Sequence, residues 1–188
     1  INLPSIKIVD FQAFQYCTGL MDVKFGYKLE RIAGWAFHNC ESLERIAIPL
    51  SSRIIEIDDY DFNYYSDVFR RCSKLKHVDL VGGVHETIAA LPVDEWRNDM
   101  NAAIDAINEI LPNTPAGSYD EENDDDDEGG KGRAVKRWII SVLRKIVDYK
   151  QQHYNMLTKA TTTLVEELAL LPQDIAINNV LPFLELPS

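Results

Sequence analysis

The chain has 188 residues, 46% of them hydrophobic, and a formal net charge of −11 from 19 basic and 30 acidic side chains. So acidic a balance disfavours a nucleic-acid or anionic-membrane surface, and neither partner is expected. No apolar run approaches the ~20 residues of a membrane-spanning helix.

The first half is organised by three blocks that combine an aromatic residue with a cysteine: Ala13-Phe14-Gln15-Tyr16-Cys17, Ala36-Phe37-His38-Asn39-Cys40 and Val68-Phe69-Arg70-Arg71-Cys72. Each continues with a Leu three residues on (Leu20, Leu43, Leu75), then Val23, Ile46 or Val78, and then Phe25, Ile48 or Leu80. The first two copies are 23 residues apart and the third follows after 32. A period in this range means a stack in which each repeat buries its apolar face against its neighbours. Val23-Lys24-Phe25, Ile46-Ala47-Ile48 and Val78-Asp79-Leu80 alternate apolar and polar, as short strands with one face inside do. Lys24, Ala47 and Asp79 are then expected on the outward face of a narrow parallel sheet, and the Phe and Cys positions on the inside of the opposite wall. That register predicts Phe14, Phe37, Phe69 and all three cysteines buried.

The third copy is longer because residues 58–67 are inserted, if Ile54 to Ile57 is aligned with Leu29 to Ile32. Such insertions leave a repeat stack as surface loops, often on the binding face. Tyr60, Phe62, Tyr64 and Tyr65 give this one the aromatic composition that recognition surfaces favour. Together with Lys24, Ala47 and Asp79 they form the candidate protein-binding set, and their alternative role is to cover the widened repeat.

Ala-Phe-x-x-Cys-x-x-Leu-x-x-Ile-x-Ile-Pro, best seen in Ala36 through Pro49, resembles the BspA-like (Treponema-type) leucine-rich repeat. The resemblance covers about residues 6–81; Gly26 replaces the Pro in the first copy, and Val68 and Val81 replace the Ala and the Pro in the third. It implies a right-handed α/β solenoid used for protein interaction, with no catalytic residues to carry over. The second half resembles the C-terminal region of diatom proteins that carry these repeats, which implies an all-α C-terminal region.

Four segments are expected: a repeat array over 1–91, a capping helix over 92–111, an acidic disordered linker over 112–133 and a helical region over 134–188. The chain opens at Ile1 inside a repeat without a polar cap, which reads as the C-terminal part of a longer array. Cys17, Cys40 and Cys72 share one repeat position, so a buried ladder explains them better than a metal site or a disulfide. The odd cysteine count and the lack of an Asn-x-Ser/Thr acceptor favour an intracellular setting. Pro92-Val93-Asp94 opens a helical pattern through Val93, Trp96, Met100, Ala103, Ile107 and Ile110, ended by Pro112 and Pro115. Eight acids fall within residues 120–128. A calcium loop starting at Asp124 fails because its twelfth position is Val135. Gly129-Gly130-Lys131-Gly132 lacks the spacing and the Ser/Thr of a phosphate loop. Val135, Ile139, Val142, Ile146, Tyr149, His153 and Met156 follow a 4-3 spacing that predicts a long helix from Ala134 to about Leu157, with a second helix over 164–171 beyond the Thr161-Thr162-Thr163 stretch.

His38, His77, His85 and His153 are scattered, with His38 and His77 at repeat positions expected to face solvent. No catalytic constellation, metal site or cofactor site is identified. The reading is a monomeric, non-enzymatic module that binds a protein partner. Two alternatives remain: a ubiquitin-ligase substrate adaptor, from a faint F-box likeness at Leu171-Pro172 and Val180-Leu181-Pro182, and an accessory domain of an enzyme lying upstream.

Overall fold

The computed structural model describes residues 1–55, 67–117 and 130–170. In chain order these form β1 (Asn2–Leu3), β2 (Ile8–Val9), β3 (Asp22–Phe25), β4 (Arg31–Ile32), β5 (Arg45–Pro49), β6 (His77–Val81), α1 (Val84–Ala89), α2 (Asp94–Ile110) and α3 (Lys131–Ala169). The chain divides into two compact units, Ile1–Ile146 and Val147–Ser188.

Strands β1, β3, β5 and β6 lie side by side in that order, all parallel. The pairing joins Val23 to Ile46 to Val78, so equivalent residues of successive repeats stand next to one another. Val23, Ile46, Val78, Phe25, Ile48 and Leu80 all point inward and are buried. A second parallel ladder, β2 with β4, is extended by a bridge from Ile32 to Ile55. Ile55 therefore takes the place in the third repeat that the spacing assigned to Ile57, which lies outside the described residues. The pair Ile54 and Ile55 is buried, and that burial fixes the register two residues earlier. Gly26 departs from the repeat's proline because a Cβ there would run into the Pro4 carbonyl.

The AFxxC blocks form the opposite wall as tight turns. Tyr16, Asn39 and Arg71, each just before the cysteine, have φ of 61°, 59° and 59°. This left-handed conformation is costly for non-glycine residues; at Tyr16 and Asn39 hydrogen bonds between neighbouring repeats hold it, and at Arg71 a hydrogen bond to the Ala116 carbonyl does. The Phe14 N–H donates to the Ala36 carbonyl at 2.8 Å, Tyr16 to His38 at 2.9 Å, Phe37 to Val68 at 3.0 Å and Asn39 to Arg70 at 3.0 Å. The rings follow suit, Phe37 stacking on Phe14 at 5.1 Å and on Phe69 at 5.7 Å. Phe37, Phe69, Cys40 and Cys72 are buried as the register predicts. Cys17 is exposed and Phe14 only half-buried, against expectation. Both belong to the first turn of the described residues.

The other end of the stack is closed by elements with no repeat pattern. Met100, Ile104 and Ile107 of α2 are buried, while Trp96 is half-buried. Asn108 Oδ1 accepts the Val78 N–H at 2.8 Å, satisfying a donor on edge strand β6. The Trp138 indole N–H donates to the Ala103 carbonyl at 2.9 Å and Lys145 pairs with Asp99 at 2.7 Å, fixing α3 on α2. Helix α3 begins at Lys131, inside the stretch expected as linker, because Asp67 caps it. Asp67 Oδ1 accepts the Gly132 N–H at 3.0 Å and the Phe69 N–H at 2.9 Å. A Cβ at either Gly130 or Gly132 would collide with that carboxylate. The buried Lys131 ammonium donates to the carbonyls of Ser73 and Leu75.

In the second unit α3 continues without a break through Thr161-Thr162-Thr163 to Ala169, where two helices were expected. Thr158, Thr161 and Thr162 donate their hydroxyls to the carbonyls of Tyr154, Leu157 and Thr158, at 2.9, 2.9 and 3.0 Å. The hydroxyls are thus satisfied inside the helix and do not compete with it for backbone donors.

Candidate protein-binding face

The outward face of the sheet is built from two rows that the parallel register aligns. One row is Asp22, Arg45 and His77; the other is Lys24, Ala47 and Asp79. Pro49 and Val81 pair beyond them. The structure thus brings together the three strand positions singled out in the sequence. Their exposure differs from expectation at one point. Lys24 is exposed and Asp79 half-buried, but Ala47 is only 7% exposed. The Ala47 methyl group on the interior strand β5, flanked by Lys24 and Asp79, lies below the level of these larger side chains. The result is a trough of about 370 Å³ with Ala47 in it, Lys24 on one side and Arg45 and Asp79 on the other.

The far wall of the trough is fixed electrostatically. The Arg45 guanidinium holds both oxygens of Asp79, with Nη2 to Oδ1 at 2.9 Å. His77 Nε2 lies 3.3 Å from the same carboxylate. The Arg45 hydrogen bonds hold the Asp79 carboxyl below the ordinary carboxylate range, against the opposing effect of its partial burial, and His77 adds to the effect. A bidentate guanidinium–carboxylate pair is planar and directional, so this wall presents a rigid surface. Lys76 and Glu44 form a further cross-strand pair at 2.8 Å. Among the described residues Lys24 enters no ion pair, so an exposed cation lines the trough across from the locked pair.

Tyr60, Phe62, Tyr64 and Tyr65 lie outside the described residues, as do the F-box-like segment and the acids of 120–128. Sequence reasoning missed an aromatic cluster on the turn wall. Trp35 packs on Phe11 at 6.0 Å and on His38 at 4.6 Å, and Tyr16 covers His38 at 5.7 Å. His38 is consequently buried, not solvent-facing. Asn39 Oδ1 accepts from Arg71 at 3.2 Å, so the Asn39 amide turns its NH2 toward His38 Nε2, also at 3.2 Å. Gln15 Nε2 lies 3.0 Å from the other ring nitrogen, Nδ1. Burial lowers the His38 pKa, and the charges of Arg70 and Arg71 lower it further. Position 38 carried no periodic signal, because the first copy has Gln15 there and the third Arg70.

Among the described residues there is no group of three or more His, Cys, Asp or Glu side chains able to hold a metal ion. Burial pushes the Cys40 thiol up to about 11 and the Cys72 thiol higher still. Both are protonated at neutral pH and engaged in the turn wall, which makes them poor nucleophiles.

Parallel strands with AFxxC turns opposite them are the pattern of a leucine-rich repeat. Residues 1–89 match the family described as BspA type Leucine rich repeat region (6 copies). No curated protein and no solved structure matches the chain. No helix among the described residues is long and apolar enough to cross a membrane.

Proposed function

We propose that residues 1–89 wind as a right-handed solenoid that binds a protein partner through the outward sheet face, without catalysing a reaction. The handedness follows from the parallel crossovers between strands, which are right-handed in the great majority of proteins. Leucine-rich repeats are generally protein-interaction modules, and the face on β3, β5 and β6 is where this chain can act as one. The observation that carries the reading is the trough at Ala47, where a small residue in β5 leaves room beside a locked Arg45–Asp79 pair. A side chain of a partner enters there, and Lys24 supplies the adaptable contact. Selecting peptides from a random display library against the whole chain tests the reading. Peptides so obtained should lose binding to an Ala47→Arg variant of unchanged melting temperature; peptides that bind both chains equally place the interaction elsewhere.

A further inference from the structure

The second unit carries an apolar stripe of its own. In α3 beyond Ile146, Val147, Tyr154 and Leu157 are 62%, 66% and 57% exposed, and Leu164 is exposed as well. With about 3.6 residues per turn, their successive spacings of seven, three and seven place all four on one side of the helix, with Thr161 among them. Asp148, Lys159 and Glu166 fall together on the opposite side by the same geometry. The stripe is therefore one-sided, and its charges sit at its two ends: Lys150 in line with Leu157 and Leu164, and Glu167 at the far flank.

We propose that this face pairs with the same face of a second copy of the chain, the two helices running antiparallel. The charge pattern selects both the partner and the direction. In a parallel pair Lys150 would meet its own counterpart in the seam, like charge against like. An antiparallel pair centred near Lys159 sets Tyr154 against Leu164 of the second copy and Leu157 against Thr161. It also brings each Lys150 to the Glu167 end of the other helix, so the match is made twice. A foreign helix has no such claim, because both halves of the complement are on this chain. Sequence reading expected a monomer and, separately, a break at Thr161-Thr162-Thr163; the unbroken helix joins Leu164 to the same stripe as Tyr154 and Leu157.

Sedimentation velocity of the whole chain across a wide concentration range tests this. A concentration-dependent dimer is expected, and Leu157→Asp should abolish it. Lys150→Glu and Glu167→Lys, both at exposed positions, should each raise the dimer dissociation constant about tenfold or more. The double variant should restore it, since the pair is merely reversed. A chain that stays monomeric throughout overturns the proposal, and a dimer that the double variant fails to restore overturns the antiparallel pairing. If the whole chain is monomeric but a chain ending at Leu170 dimerises, residues 171–188 are the occupant and the second copy is not.

Discussion

The Cys72 thiol donates to the carbonyl of Phe37 at 3.1 Å, and one repeat earlier Cys40 makes the same bond to Phe14 at 3.1 Å. The conserved spacing of Phe and Cys within each block is therefore a device for joining blocks. The phenylalanine offers its carbonyl and its ring to the next repeat, and the next repeat's cysteine reaches back. Thiols are weak donors, but in a buried wall they satisfy carbonyl lone pairs that water cannot reach. Free thiols are required for this, which accounts for cysteine at a position where a disulfide would be useless.

Thiol reactivity should divide the three cysteines. In the native chain Cys17 is exposed and Cys40 and Cys72 are buried. A maleimide reagent should label one site rapidly and the other two only on unfolding, as mass spectrometry of the modified peptides will show. Cys72→Ala should destabilise by about 1–3 kcal/mol, through a lost bond and a small cavity.

Phe37 sits between Phe14 and Phe69 and meets Phe25 edge-on at 6.4 Å. Phe37→Ala should cost about 3–5 kcal/mol, as a large-to-small change in a packed core. Hydrogen exchange should show the amides of Phe14 and Tyr16 losing protection together with that of Asn39, since the acceptors of the first two and the Asn39 donor itself lie in the repeat whose packing is lost.

His38 makes stability depend on pH with a definite sign. Its folded pKa lies below its unfolded value of ~6.5, so between the two the unfolded chain binds more protons. Stability from this group is full above pH ~6.5 and declines as pH falls below it. Arg70 and Arg71, both cationic, act on the ring, and the neutral Gln15, Asn39, Tyr16 and Trp35 lie against it. Urea midpoints measured from pH 7.5 down to 5.5 should fall for the native chain and fall less steeply for His38→Gln. Equal slopes would remove His38 as the cause.

What could be read in advance was whatever recurs. The inward columns, the outward row of Lys24, Ala47 and Asp79, and the burial of Phe37 and Cys72 all follow from register, because a stacked repeat puts equal positions in equal environments. The depth of Ala47 did not follow, since exposure depends on the length of neighbouring side chains as well as on face. Asn108 capping Val78 and Asp67 capping α3 were invisible: each occurs once, across 30 and 65 residues of chain, and a single long-range bond leaves no period. Gly129-Gly130-Lys131-Gly132 failed as a phosphate loop by its spacing, yet Gly130 and Gly132 make room for an anion after all, the chain's own Asp67.

That cradle gives a further test. Gly132→Ala places a methyl group against the Asp67 carboxylate, and should destabilise by about 1–3 kcal/mol through the lost cap and the displaced charge. Asp67→Asn retains an acceptor and should be milder. If thermal unfolding ranks the two variants in the opposite order, the carboxylate charge matters more than the space around it.

The most direct test of the binding face is a comparison of two single substitutions in one assay. Ala47→Arg fills the trough on β5, and Lys24→Glu reverses the cation that, among the described residues, enters no ion pair. Titration calorimetry with a peptide selected against the native chain should show binding lost with Ala47→Arg and weakened at least tenfold, about 1.4 kcal/mol, with Lys24→Glu, at unchanged melting temperatures. Undiminished binding by both variants would contradict the assignment of the outward sheet face as the interaction surface.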